Sequence, residues 1–162
     1  MKKFIALFAL MVITLASYAQ VYKMYNTRNY HNQLRLNTMT GEVQQIQDDG
    51  QSWIGCSARE ISGDKESRFR LYETQNMWTF ILLDSYNGRL WQVQYSAQDL
   101  DNLFCIPINK YELVSDNENC IFSIQPLTSM YQYYLINDRT GDMWKFQWST
   151  KGDDYRWIEK FK

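Results

Sequence analysis

The sequence predicts an all-β protein made of three pseudo-symmetric, four-stranded antiparallel units with blade-like or β-prism-like sheets. Three observations carry this prediction. Aromatic residues make up 16% of the 162 residues while Pro occurs only twice, and aromatic and β-branched residues suit a pleated, packed surface. Apolar and polar residues alternate with a period of two, as along Arg68–Tyr72, which is typical of strands. One sequence pattern also recurs three times along the chain.

The repeat aligns residues 21–47, 68–94 and 121–147 without a gap. Asn or Asp can start a turn by bonding to the backbone two residues on, and Gly accepts the positive φ that closes such a turn. Each block therefore predicts a β-hairpin. The shared columns are Leu36, Leu83 and Ile136; Asn37, Asp84 and Asn137; Gly41, Gly88 and Gly141; and Gln47, Gln94 and Gln147.

A shorter apolar segment precedes each hairpin and another follows it, so each unit gains a first and a fourth strand. The units then cover residues 21–56, 68–108 and 121–161. Blade-like sheets are favoured because Phe80–Leu83 and Tyr133–Ile136 are apolar on both faces, as in strands between stacked sheets. A β-trefoil, which also has three four-stranded repeats, is the alternative.

The second and third hairpins share an apolar run, a turn containing Asp and Gly, and then Trp, at residues 80–91 and 134–144. This pattern resembles a short β-repeat module of uncharacterised secreted bacterial proteins. The resemblance covers the hairpins only, and the first unit departs from it with Gln44 in place of the Trp. It implies a fold and carries no activity with it.

The first nineteen residues are typical of a secretory signal peptide that is cleaved before Gln20. Two lysines open the segment, residues 4–15 are apolar, and Ser17-Tyr18-Ala19 supplies small residues at the cleavage site. An uncleaved anchor is the alternative. We expect one mature domain at residues 20–162, exported to the periplasm or the cell exterior and without a membrane span.

Charge and cysteine content narrow the possible partners. The chain carries 17 Lys and Arg against 18 Asp and Glu, scattered singly, whereas a nucleic-acid binder needs a clustered basic face.

The cysteines Cys56, Cys105 and Cys120, with a single His, match no metal motif, so we expect no metal or cofactor. Three is odd, so one thiol is free or pairs outside the chain. A Cys105–Cys120 disulfide and two buried thiols are both open.

The turns also fix which residues face each other, because antiparallel partners sum to a constant. In the second and third units, one hairpin face pairs apolar and aromatic residues, ending in Trp78 with Tyr95 and in Tyr131 with Trp148. The equivalent pairs of the first unit are polar. They are Arg35 with Gln44, Gln33 with Ile46, and His31 with Asp48.

Two hypotheses explain this polar face. The first unit is either a capping repeat whose outer face meets water, or it carries a binding patch. The candidate binding residues are His31, Gln33, Arg35, Gln44 and Asp48. His31 beside Asp48 also suggests catalysis with Ser52, Ser57 or a Cys as nucleophile, but a triad needs three converging groups and the sequence places no nucleophile. We therefore expect no enzyme.

The glutamines Gln47, Gln94 and Gln147 suggest either a threefold polar ring or the solvated ends of three hairpins. Taken together, the sequence predicts a secreted or periplasmic, non-catalytic binding module that is lectin-like or protein-binding, with carbohydrate or protein as partner. The alternative is a structural protein whose sheets stack with other chains.

Overall fold

A computed structural model describes residues 20–57, 65–97, 100–115 and 121–161. This part of the chain forms three four-stranded antiparallel sheets, each a meander of consecutive strands, as the repeat predicts. The first sheet holds β1 (Tyr22–Asn26), β2 (Asn32–Asn37), β3 (Val43–Gln47) and β4 (Ser52–Cys56). The second holds β5 (Phe69–Glu73), β6 (Thr79–Asp84), β7 (Leu90–Gln94) and β8 (Phe104–Pro107). The third holds β9 (Phe122–Pro126), β10 (Gln132–Asn137), β11 (Met143–Gln147) and β12 (Trp157–Lys160).

The turns of the three central hairpins have the geometry that their shared residues predict. The N–H of Gly41 donates to the carbonyl of Asn37 at 2.9 Å, and that of Gly88 to Asp84 at 3.0 Å. The Asn37 side chain accepts the N–H of Met39 at 3.0 Å, which closes the turn from the inside. The φ angles of Gly41, Gly88 and Gly141 are 80°, 77° and 74°.

The hairpin registers are also as predicted, so the two faces of each sheet are known. The face that carries the central pair of each hairpin is called the front of the sheet, and the opposite face is called the back. The front pairs are, in chain order, Arg35 with Gln44, Leu82 with Trp91, and Leu135 with Trp144.

The sheets form a linear stack with the second sheet in the middle. Its front packs on the back of the first sheet, and its own back receives the front of the third. Every residue of β6 is therefore buried. Full burial of one Leu or Phe side chain stabilises by about 1.5–3 kcal/mol. The first core holds Leu34, Leu36, Val43, Phe69, Phe80, Leu82, Trp91 and Val93, and the second holds Ile81, Leu83, Leu90, Phe122, Tyr133, Leu135, Trp144 and Phe146.

Polar contacts set the spacing of consecutive units in the same way at both junctions. The N–H of Phe69 donates to the carbonyl of Thr38 at 2.8 Å, and Phe122 repeats this with Ser85 at 2.8 Å. From the back of the first sheet, Gln45 donates to the carbonyl of Ser96 at 2.5 Å. Each unit is thus joined to the one before it by backbone hydrogen bonds as well as by core packing.

The linear stack corrects two expectations. The β-trefoil alternative is wrong, because each unit keeps its own sheet instead of lending strands to a common barrel. The threefold ring of Gln47, Gln94 and Gln147 does not form either, because the second sheet separates the first from the third. Blade-like packing of face on face is present, but the three units do not close into a ring.

A disulfide joins Cys56 at the end of β4 to Cys105 in β8, with 5.2 Å between their Cα atoms. The proposed Cys105–Cys120 bridge is therefore wrong, because Cys105 already pairs across the first junction of the stack. Strands β4 and β8 are the fourth strands of adjacent units, and stacking brings them together. Cys120 and the predicted signal peptide at residues 1–19 lie outside the described residues.

Candidate functional site

The hairpins end, on the side away from the turns, in loops that hold one side chain of each unit in place. In the second unit, the Asn76 side chain accepts the N–H of Trp78 at 2.8 Å, and Thr74 Oγ1 lies 2.8 Å from the carbonyl of Thr79. The first unit repeats this loop, with Asn29 accepting the N–H of His31 at 3.1 Å. A Thr-x-Asn sequence thus positions the residue two places beyond the Asn.

The positioned residue meets a partner across the hairpin in every unit. The Trp78 and Tyr95 rings are 5.2 Å apart, within the range favoured for aromatic pairs. In the third unit, the Tyr131 and Trp148 rings are 5.0 Å apart. The sequence predicts both pairs to be buried, and this holds for one ring of each: Tyr95 and Trp148 are buried, whereas Trp78 is half-buried and Tyr131 is 38% exposed.

A groove opens at this end between the first and second sheets. One part has a volume of about 490 Å³, and its lining consists of the aromatic pair of the second unit with polar groups from both sheets. The adjoining part, of about 380 Å³, contains His31 and Asp48. Ligand pockets commonly measure about 300–1,000 Å³, so both parts are large enough for a small polar ligand. The first part is lined by Asn29, Trp78, Gln94, Tyr95, Ser96, Ala97 and Asn102.

Tyr95, which lines this groove, carries a buried hydroxyl without a partner in the described part of the chain. The residue is 1% exposed, and its hydroxyl has no hydrogen-bond partner among the described residues. A buried hydroxyl that is left unpaired costs roughly 1–3 kcal/mol.

A smaller hollow of about 180 Å³ lies at the same end of the third unit, between Tyr131, Trp148 and Tyr155. The Trp148 indole donates to the carbonyl of Met130 at 3.0 Å, which fixes its ring. Burial raises the pKa of the neighbouring Tyr133 above its usual value, so this phenol stays protonated and neutral.

The structure separates the five predicted site residues into two groups. His31 and Asp48 lie together in the groove, with 2.7 Å between Nδ1 and Oδ2. Their side chains are 58% and 60% exposed, which agrees with a solvent-facing capping unit. Gln33, Arg35 and Gln44 lie on the front of the first sheet, outside the groove.

These three front residues form ladders of hydrogen bonds with their strand neighbours. Arg35 donates to Gln44, and Gln44 in turn donates to Ser52 Oγ at 3.0 Å. Gln33 donates to Asn26 at 3.1 Å. Their polar groups are thereby used within the sheet.

Sequence reasoning missed the contribution of Trp78, Tyr95 and Asn102 to a site. It placed the first two in a core pair, which is correct for Tyr95, but the groove is lined by residues of two units, which the pattern of one hairpin does not bring together. The repeated Thr-x-Asn loop was the available signal, since it holds a large side chain at the end of each of the first two hairpins.

Among the described residues, no group of three or more His, Cys, Asp or Glu side chains is arranged to hold a metal ion. Within the same ranges, no helix has the length and apolar character needed to cross a membrane.

Comparison of the chain with models of protein families, with curated proteins and with solved structures gives no match.

Proposed function

We propose that this protein is an exported, non-catalytic carbohydrate-binding module that holds its ligand in the groove between the first two sheets. The single observation that carries the proposal is the composition of that groove. A half-buried Trp78 stands beside the Tyr95 ring, within a rim of amide side chains.

An aromatic ring and polar groups together suit a sugar. The face of an aromatic ring is electron-rich, so it attracts the positively polarised C–H groups on one side of a pyranose. Trp78 offers such a ring, and packing against the Tyr95 ring, with 5.2 Å between the ring centroids, restrains it. A pre-positioned ring loses little side-chain entropy on binding.

The polar rim matches the hydroxyl groups of a sugar. Asn29, Gln94 and Asn102 line the first part of the groove, and amide side chains combine donors with an acceptor, although the Asn29 oxygen already accepts the His31 N–H. Asp48 and Asp49 add acceptors in the adjoining part. Neutral amides with one acidic side favour a neutral or amino sugar over an acidic one.

Export is supported by two features. The first nineteen residues carry the pattern of a signal peptide, and the Cys56–Cys105 disulfide suits an oxidising compartment. The resemblance of the hairpins to a secreted bacterial module points the same way.

Absence of catalysis is supported by the contacts of three of the suggested nucleophiles. Cys56 and Cys105 are oxidised in the disulfide and have no thiol to offer. Ser52 accepts a hydrogen bond from Gln44 on the front of the sheet, outside the groove that holds His31.

A glycan array on the mature chain, followed by calorimetric titration of the best ligand, tests the proposal. We expect Trp78→Ala to weaken binding at least tenfold, which is about 1.4 kcal/mol, and Asn102→Ala to weaken it as well. Tyr111→Ala is the matched control, because Tyr111 is an aromatic residue that is 80% exposed and outside the groove.

Asn102→Ala also guards against misreading a folding defect, since it leaves both cores intact. Failure of every glycan class to bind would overturn the proposal. Equal losses from Tyr111→Ala and Trp78→Ala would do so too, because binding would then not depend on the groove.

A further inference from the structure

The centre of the front end of the stack is capped by polar residues, while Tyr22, Met24 and Ile54 on its outer strands are exposed by half or more. Gln33, Arg35 and Gln44 occupy columns that are apolar or aromatic in the other two units. These side chains bond to one another or to their strand neighbours. Covering this face with a further sheet would strip water from them and gain little apolar contact.

The back end of the stack lacks such a cap. Tyr134, Ile136 and Met143 occupy columns whose members in the first two units are covered by the next sheet. In the third unit they are only partly buried, and Phe161 beside them is 49% exposed, with its ring 5.3 Å from that of Tyr134. The covered counterparts, all exposed by 1% or less, are Leu34, Leu36, Val43, Ile81, Leu83 and Leu90.

We propose that the back of the third sheet binds the same face of a second copy of this chain, so that two stacks join as a two-fold dimer. Head-to-tail growth would have to bury the Arg35 and Gln44 side chains at the centre of the front against apolar residues, which opposes it. An isologous contact joins two apolar centres instead and is the commonest arrangement among soluble homo-oligomers.

The register of the third sheet makes this face complementary to itself. A two-fold axis that runs along the strands between β10 and β11 exchanges those two strands. Ile136 pairs with Met143 within the sheet, so in the dimer Ile136 of one copy faces Met143 of the other. By the same operation Tyr134 faces Lys145, which places an ammonium group over a phenol ring.

The same two-fold axis also places residues of the outer strands opposite each other. Gln125 of β9 is the neighbour of Tyr134, and Glu159 of β12 is the neighbour of Lys145. The axis therefore sets Gln125 of one copy opposite Glu159 of the other, where the amide can donate to the carboxylate. This arrangement sets no like charges opposite each other at these positions.

The size of the face sets the strength of the dimer. Four strands about 4.8 Å apart, with five residues at about 3.4 Å each, give a footprint of roughly 19 by 17 Å. That is smaller than the ~800 Å² per partner of a standard interface. Because the face is this small, we expect a weak, reversible dimer.

Sedimentation velocity and light scattering on the mature chain, from about 1 µM to about 500 µM, test this inference. We expect a shift from monomer to dimer across that range. Met143→Glu should raise the dissociation constant at least tenfold, since each interface would bury two carboxylates. Phe161→Glu should act in the same direction, and because Phe161 is half exposed at the end of the described chain, this variant is expected to fold.

Met24→Glu is the matched control, because Met24 is 50% exposed on the capped front face and the dimer should survive its replacement. A chain that stays monomeric at the highest concentration would overturn the inference. Growth beyond a dimer would overturn it as well, as would a dimer that Met24→Glu dissociates and Met143→Glu and Phe161→Glu leave intact. None of these readouts depends on sugar binding, so they are independent of the proposed function.

Discussion

Arg68 and Asp84 form an ion pair in the interior of the protein, with Nε and a terminal nitrogen of Arg68 at 2.9 and 2.6 Å from Asp84 Oδ2. Their side chains are 4% and 2% exposed. Asp84 holds the turn position that Asn37 and Asn137 hold in the other units. Only the middle unit therefore carries a charge at this position, and only there does an Arg stand at the start of the unit.

This pairing predicts a strong coupling between the two residues. Arg68→Val should destabilise the fold by roughly 3–5 kcal/mol, because it leaves the buried Asp84 carboxylate without its cation. Adding Asp84→Asn should recover most of the loss, since the first unit combines Val21 with Asn37. Urea unfolding of both single variants and the double variant measures the cycle. Simple addition of the two single effects would contradict the coupling.

The turn glycines offer a matched pair of substitutions. Gly88 and Gly141 have φ values of 77° and 74°, so Ala at either costs roughly 1–2 kcal/mol in backbone strain. A Cβ on Gly88 would also lie 3.0 Å from Leu113 Cδ1 and 3.2 Å from Phe122 Cζ, whereas at Gly141 it meets nothing within 4 Å. Gly88→Ala should therefore lower the melting temperature more than Gly141→Ala. Equal shifts would mean that Leu113 and Phe122 yield freely.

The hairpins could be predicted from sequence because their register depends on local features. Asn37, Gly41 and their counterparts fix each turn, and a period of two then assigns the faces. Stacking could not be predicted in the same way. Three identical units give the same sequence pattern whether they close into a ring or stand in a line, so the pairing of Cys56 with Cys105 was out of reach.

The sequence predicted one contact of the candidate site but not the groove around it. His31 and Asp48 were correctly placed opposite each other, because hairpin register determines that contact. The groove that they share with Trp78 and Asn102 is lined by residues of two units. The pattern of a single hairpin does not show which residues of another unit it will meet.

A second matched pair lies at the two junctions of the stack. Gln45 donates to Asn32 at 2.6 Å and to the Ser96 carbonyl at 2.5 Å, and it accepts the Ser96 N–H at 3.1 Å. Its counterpart Gln92 accepts the Ser149 N–H at 3.2 Å, while its Nε2 atom is buried without a partner among the described residues.

Gln45→Met should therefore cost more than Gln92→Met. The first change removes three hydrogen bonds from a buried site, for a loss of about 2 kcal/mol or more, whereas the second removes one bond together with an unsatisfied donor and should cost less than about 1 kcal/mol. Met is similar in length and flexibility to Gln, so packing changes little. Guanidinium unfolding of the two variants ranks them, and a larger loss for Gln92→Met would contradict the assignment.

Cleavage of the predicted signal peptide gives a prediction that the intact mass of the exported protein tests. Ser17-Tyr18-Ala19 predicts cleavage before Gln20, and Gln20 can then cyclise. Mass spectrometry of exported material should find a chain that starts at Gln20. Material that retains Met1 would contradict export through a cleaved signal.

The disulfide gives the last prediction. Cys56 and Cys105 are 49 residues apart, and closing a loop of that length stabilises by about 4 kcal/mol in the chain-entropy description. The double variant Cys56→Ala/Cys105→Ala should lose roughly that amount in denaturant unfolding and should behave like the reduced wild-type chain. Non-reducing peptide mapping should recover Cys56 joined to Cys105, with Cys120 as the remaining thiol. A peptide that joins Cys105 to Cys120 would overturn the stacking of β4 against β8, because that stacking is what brings Cys56 within bonding distance of Cys105. Cys120→Ala is the control, and it should leave both the map and the unfolding midpoint unchanged.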